Sequence, residues 1–239
     1  MPSRRTADLT SAAAAARTAT AATAATAAKT AKTANPARTA RTAIAAAATP
    51  ADAAADTRTR ILRAALRLFR RHGYHGVGIN DILAEAQAPK GSMYHHFPSG
   101  KEEIAAAVVG LITDSLLGLI DAQPATLTPA VLVARVGVAL GETVARTRHE
   151  LCALFAAFVA EKASAPRLGQ AVAQAYAAIA SRLEQRLRAA DFTPAQARDR
   201  AALVVMLLEG GSLMAAAGED LAPFRLAVKQ AVALCTPAA

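Results

Sequence analysis

From Lys90 to His96 the chain reads KGSMYHH, and five of these seven side chains (Lys90, Ser92, Tyr94, His95 and His96) can hydrogen-bond. Lysine and serine suit phosphate oxygens or base edges, and a tyrosine hydroxyl can donate to a phosphate. Gly91 lets the backbone approach a partner closely. Tyr94 has a second option, packing its ring on a neighbouring helix. Just upstream, Ile79 to Ala86 reads INDILAEA, with Ile82, Leu83 and Ala86 on one side of a helix. Gln87-Ala88-Pro89 breaks it, because proline disfavours helix at the residue before it and lacks a backbone donor. A second helix over Lys90 to Phe97 is too short to stand alone. A short polar and aromatic helix, held by an apolar partner, suits insertion into the major groove of DNA. Met93 and Phe97 read as core.

Other chemistries find less support. His72, His75, His95 and His96 cluster in sequence, but no His/Cys/Asp spacing matches a tetrahedral site, so no metal and no cofactor are expected. No G-x-S-x-G, P-loop or H-E-x-x-H is present, which argues against an enzyme. Glu209-Gly210-Gly211 falls inside a helical pattern, where glycines permit close helix packing. Cys152 and Cys235 form no framework of pairs, which fits a reducing cytoplasm. The apolar segment Ile104 to Ile120 is interrupted by Thr113, Asp114 and Ser115, so no membrane span is expected. The N-terminus lacks the leucine-rich stretch of a secretory signal.

Residues from Ile61 to Lys101 resemble the DNA-binding domain of the TetR/AcrR transcriptional regulators. The likeness is carried by ILRAALRLFRRHGYHGVGINDILAEA and then APKGSMYHHFPSGKEEI. It joins an amphipathic first helix, a Gly-Tyr turn, an Asp-Ile pair and a Gly-Ser-x-Tyr-x-His-Phe helix followed by Lys-Glu. The wording around Pro89 to Pro98 is most similar to the LmrA/YxaF-type branch. Three positions depart from the pattern: Gly78 where Thr or Ser usually caps, Leu83 for a common Ala, and Gln87 for a frequent turn glycine. The resemblance implies that Lys90, Gly91, Ser92, Tyr94 and His95 face DNA and that Lys101 meets a phosphate. It also implies a ligand-responsive C-terminal domain.

Charge agrees with that placement. Residues 1–56 hold 7 Lys/Arg and 3 Asp/Glu, residues 57–101 hold 8 and 2, and residues 102–239 hold 12 and 13. The net charges are +4, +6 and −1, summing to the +9 of the whole chain. Positive charge gathered at one end is the footprint of phosphate binding. Residues 1–56 are low-complexity Ala, Thr, Lys and Arg with almost no large apolar side chain, which predicts a disordered basic arm. It reads as an accessory DNA arm, as an inert extension that includes sequence from a misplaced start codon, or, more remotely, as a transit peptide.

The expected fold is all-α: a three-helix DNA-binding domain over 57–101 and a helical ligand-binding and dimerisation domain over 102–239. Thr57 to His72 is the first helix, with Ile61, Leu62, Ala65, Leu66 and Phe69 as its stripe and Gly73 as its stop. Ser99 is expected to cap a helix over Lys101–Ala122. Helices follow over Ala130–Thr147, Leu151–Ala163, Arg167–Ala190, Pro194–Ala217 and Ala222–Cys235. Cys152, Phe155, Phe158, Tyr176 and Met206 are the side chains large enough to line an apolar ligand pocket in this alanine-rich region. The segment Ala201 to Ala217 is apolar on nearly every face, so one face needs a partner. Leu203, Leu207, Gly210, Gly211 and Met214, with Phe224, Val228 and Val232 of the last helix, are the expected homodimer contact. The function expected is a cytoplasmic transcriptional repressor that binds a palindromic operator in double-stranded DNA and is released by a small apolar effector. The alternatives are a non-specific nucleoid-type DNA binder and an enzyme with a DNA-binding head.

Overall fold

The structure, a computed structural model, describes residues 56–147 and 154–237. These residues form nine helices and no strand. Residues 1–55, and with them nearly all of the basic arm, lie outside the described part.

Helix α1 spans Thr57–His72 and is capped by Asp56, whose Oδ1 accepts the Thr59 N–H at 2.9 Å. It buries Ile61, Leu62, Ala64, Ala65, Leu68 and Phe69. The stripe is therefore rotated slightly from expectation, with Leu68 inside and Leu66 only half-buried. Gly73 stops the helix at φ 67°, where a side chain would be strained.

Helix α2 (Ile79–Ala86) starts at Gly78, whose N–H donates to Asp81 Oδ2 at 3.0 Å. The side-chain cap that Thr or Ser would supply is missing, and the third helical residue satisfies the cap backbone instead. Gln87 ends α2 in the left-handed region, at φ 49° and ψ 44°. A residue with a Cβ costs about 1 kcal/mol there, which explains why glycine is frequent at this place in the pattern. Helix α3 (Lys90–His96) follows, with Met93 buried in it and Phe97 buried at its end. Both pack inward as expected. Arg58 of α1 lies over the Phe97 ring, 5.5 Å from its centre.

Helix α4 spans Lys101–Asp121 and is entered through Gly100 at φ 71° rather than through a Ser99 cap. The Ser99 hydroxyl instead accepts from Arg167 Nη1, and its N–H donates to Glu103 Oε2 at 2.8 Å. Thr113 and Ser115 do not interrupt the helix. Their hydroxyls donate to the carbonyls four residues back, Val109 and Leu111, each at 2.8 Å. By length and composition alone, α4 and α8 (Pro194–Gly218) are both long and apolar enough to cross a membrane.

Helix α5 (Pro129–Arg146) begins one residue earlier than expected, with Thr128 accepting the Val131 N–H and Pro129 in the first turn. Helix α6, described over Leu154–Ala160, ends where the chain turns at Glu161 to Ser164. Helix α7 runs over Pro166–Arg188. Helix α8 has a full capping box between Thr193 and Gln196, and α9 is Ala222–Leu234.

Helices α2 and α3 pack on α1, and α1 lies against α4. Helix α7 packs between α4 and α8, with α6 alongside, and α9 packs on both α8 and α5. Two glycines seat α9. A Cβ at Gly211 would come within 2.5 Å of the Ala227 Cβ, and one at Gly137 within 2.6 Å of Val228 Cγ1. The core beside them holds Leu132, Val133, Leu183, Leu187, Phe192 and Cys235. Burial pushes the Cys235 thiol up to about 11.

Candidate nucleic-acid interface and cavity

Helix α3 is fixed from below and open above. Met93 and Phe97 are inside, whereas Lys90, Gly91, Tyr94 and His95 are exposed and Ser92 is partly so. Tyr94 is 45% exposed, so its ring does not fill a place in the core of the first three helices. Nothing lies within 4 Å of a Cβ added at Gly91, which leaves that backbone open to a partner. His95 and His96 stand side by side with ring centres 5.2 Å apart.

The platform under α3 includes contacts that the sequence reading did not find. Arg67 of α1 donates through Nε to Glu85 Oε1 of α2 at 2.9 Å, and the Glu85 side chain is almost wholly buried. A bond between charged groups in so little water locks the angle between the two helices. The available signal was a glutamate between Leu83 and Ala86 on an apolar face. Lys101 Nζ donates to the carbonyls of Tyr74 and Val77, both at 3.2 Å, and lies 4.2 Å from the centre of the Tyr74 ring. Two of its three donors thus hold the loop between α1 and α2.

A second set of contacts joins this platform to the later helices. Phe158 of α6 is fully buried, with its ring centre 5.6 Å from Phe69 and 6.4 Å from Tyr74. His75 Nε2 meets Glu161 Oε2 at 2.5 Å. The Arg167 backbone N–H donates to Glu102 Oε1 at 2.8 Å, and its guanidinium reaches Ser99. Burial and the nearby Glu102 and Glu161 push the Tyr74 hydroxyl above its ordinary range.

One turn before Phe158, Phe155 faces a cavity of about 140 Å³. Every helix from α4 to α9 contributes to its wall, including Ile112, Leu140, Phe155, Tyr176, Glu209 and Phe224. Phe155 and Tyr176 meet edge to face at 5.6 Å. The lining is apolar except for the Tyr176 hydroxyl, Glu209 and Ser212. Burial pushes the Tyr176 hydroxyl and the Glu209 carboxyl both up, and the neighbouring Glu209 pushes Tyr176 further.

An exposed polar helix on a braced three-helix platform, followed by a larger helical body, is the arrangement of a helix-turn-helix DNA-binding regulator. Comparison with known proteins agrees. The model of the bacterial regulatory proteins of the tetR family matches residues 61–108. The model of the C-terminal domain of LmrA/YxaF-like transcriptional regulators matches residues 129–230. The transcriptional regulator LmrA of Bacillus subtilis is 33% identical over 171 residues, which cover 70% of this chain and 90% of LmrA. The chain belongs to the TetR family. It is a DNA-binding transcriptional regulator of the LmrA/YxaF-like branch. The regulator YxaF of B. subtilis is 51% identical over a shorter stretch of 65 residues, 26% of this chain and 34% of YxaF. Among solved structures, a TetR regulator from Legionella pneumophila superposes with a TM-score of 0.67 at 20% identity, covering 76% of this chain and 98% of that one.

In this TetR-family regulator the predicted ligand residues separate. Phe155 and Tyr176 line the cavity together. Phe158 does not; it fills the junction with α1. Met206 does not line it either, because it projects from the opposite side of α8 and is 65% exposed. Cys152 lies outside the described residues. Glu209 was missed, since in sequence it read only as part of a Glu-Gly-Gly helix stretch.

The predicted dimer residues separate as well. Leu203, Gly210 and Met214 are exposed. Gly211 and Phe224 are buried within the chain, and Leu207, Val228 and Val232 pack largely against its own helices. The glycine that admits a neighbouring helix is Gly211, and that neighbour is α9 of the same chain.

Proposed function

We propose that this regulator is a cytoplasmic repressor, a homodimer that binds a palindromic operator and leaves it when a small apolar molecule fills the cavity. Residues 57–101 act as the DNA-reading head and residues 102–239 as the sensing and pairing body. The observation that supports this reading is helix α6, which carries Phe155 in the cavity wall and Phe158 against Phe69 and Tyr74 of the head. A ligand that displaces Phe155 shifts the ring on which the head rests. Two recognition helices about 34 Å apart fit successive major grooves. A ligand favouring another spacing lowers DNA affinity only by its preference for that state.

Lys90, Ser92, Tyr94 and His95 make the DNA contacts, with Gly91 allowing close approach. Lys101 keeps one free donor for a phosphate while it braces the loop before α2. The dimer face is re-phased to Leu203, Met206, Gly210, Leu213 and Met214 of α8, with Leu226 of α9 beside them. Their exposure and near-heptad spacing support this choice.

Selection of bound sequences from a random DNA pool tests the reading, followed by a small-molecule screen for release. A symmetric consensus with half-sites about one helical turn apart is expected. Binding without sequence preference, unaffected by any ligand, would instead favour the nucleoid-type alternative.

A further inference from the structure

Among the described residues, Glu209 is the only ionisable acid or base in the cavity wall other than the Tyr176 hydroxyl. Its Oε1 is buried and has no hydrogen-bond partner among the described residues. The Tyr176 hydroxyl lies beside the same carboxyl in the cavity wall. The rest of the wall is aliphatic and aromatic, and Ser212 sits one turn further along the same helix. Among the described residues that line the cavity there is no Lys or Arg to neutralise the carboxylate.

We propose that the cavity takes a small lipophilic amine, one apolar ring or short chain ending in a protonated nitrogen, seated with that nitrogen on Glu209. This rests on the effector reading above and names its chemical class. A cavity of about 140 Å³ holds roughly one benzene-sized group. A buried carboxylate is relieved far more by a charged donor than by a neutral one, since the cation supplies both the hydrogen bond and the missing counter-charge. The ring faces of Phe155, Tyr176 and Phe224 add attraction for a cation near them. The same carboxylate repels organic acids, so fatty acids and aryl carboxylates are excluded. Ser212 offers a second acceptor within one turn of Glu209 for another N–H of the ammonium.

Calorimetric titration of the full-length protein with phenethylamine, phenethyl alcohol and phenylacetate tests this. The three probes share a ring and differ in charge. The amine should bind at least about ten-fold more tightly than the alcohol, and phenylacetate should bind least. Glu209→Gln should remove the advantage of the amine and leave the alcohol within about two-fold, with helicity by circular dichroism unchanged. Equal binding of amine and alcohol to the unmodified protein would overturn the proposal, whether or not the variant folds. So would an amine preference that survives in folded Glu209→Gln. Operator affinity measured in the same samples separates the two readings. Amine binding that leaves operator affinity unchanged sinks the release mechanism but not the site. Release by neutral molecules, with no amine preference, does the reverse.

Discussion

Helices α1 and α8 solve opposite problems. Helix α1 turns its large apolar side chains inward, where Ile61, Leu62, Leu68 and Phe69 are buried, and exposes Arg58 and Arg71. Helix α8 buries small residues, Ala197, Ala201, Val204, Gly211 and Ala215, and leaves Leu203, Met206, Leu213 and Met214 in the open. The first three helices are closed within one chain, whereas α8 is closed only when something covers it. The DNA-reading end thus rests on packing within the chain, whereas α8 presents an exposed apolar face. Regulators of this family bind DNA and act as dimers, which fits a division in which one end recognises and the other pairs.

The contrast is tested most severely by Phe69→Ala. Removing a fully buried ring that touches both Tyr74 and Phe158 should lower unfolding free energy by about 3–5 kcal/mol. Urea unfolding should show the same decrement at every protein concentration, because the packing lies inside one chain. Met206→Glu combined with Met214→Glu should behave differently. It should weaken self-association at least about 100-fold, roughly 3 kcal/mol, with helicity retained. Sedimentation decides it, and a variant that stays dimeric at low concentration would place the pairing face elsewhere. Leu207→Glu is a poor probe of pairing, since Leu207 packs on its own core and the charge would unfold the body.

Smaller effects belong to the recognition surface. Lys90→Ala should weaken operator binding by about 1–2 kcal/mol and, if Lys90 meets a phosphate, reduce the salt slope by roughly one. Tyr94→Ala should cost about as much, and Tyr94→Phe less. Folded variants that bind with unchanged affinity in a mobility-shift assay would remove α3 from the interface. The finest test uses two adjacent glycines. Gly211→Ala should destabilise by about 1–3 kcal/mol through overpacking on Ala227. Gly210→Ala has open space at its Cβ and should stabilise the isolated helix by about 0.5–1 kcal/mol. Thermal melts of the monomeric double-glutamate background would read both without interference from pairing.

The same contrast governs what could be read from the sequence. At α3 and its end, Met93 and Phe97 are the large side chains without polar atoms, so their burial followed directly. The one-letter pattern also marked Gly73 and the Thr193-Pro194 start. In α8 apolar residues surround the axis, so periodicity gives no direction. Leu207 and Gly211 were therefore assigned outward and Met206 inward, each against its observed position. Bridges such as Arg67 to Glu85 and Lys101 to the Tyr74 carbonyl depend on how helices cross after the chain returns, which no local pattern contains. Glu209 was invisible for the same reason, because its five neighbouring helices come from distant parts of the chain.

Phe158 has a consequence for anyone who would build hybrids from this protein. Grafting designs treat a DNA-reading segment as an exchangeable cassette, cut at the loop before α4. Here the cassette would leave with a face of Phe69 and Tyr74 uncovered, and Lys101, which ties the loop between α1 and α2, would lie on the seam. A recipient scaffold must therefore present an aromatic ring where Phe158 stands, and a carboxylate within reach of His75, before it can carry this reader.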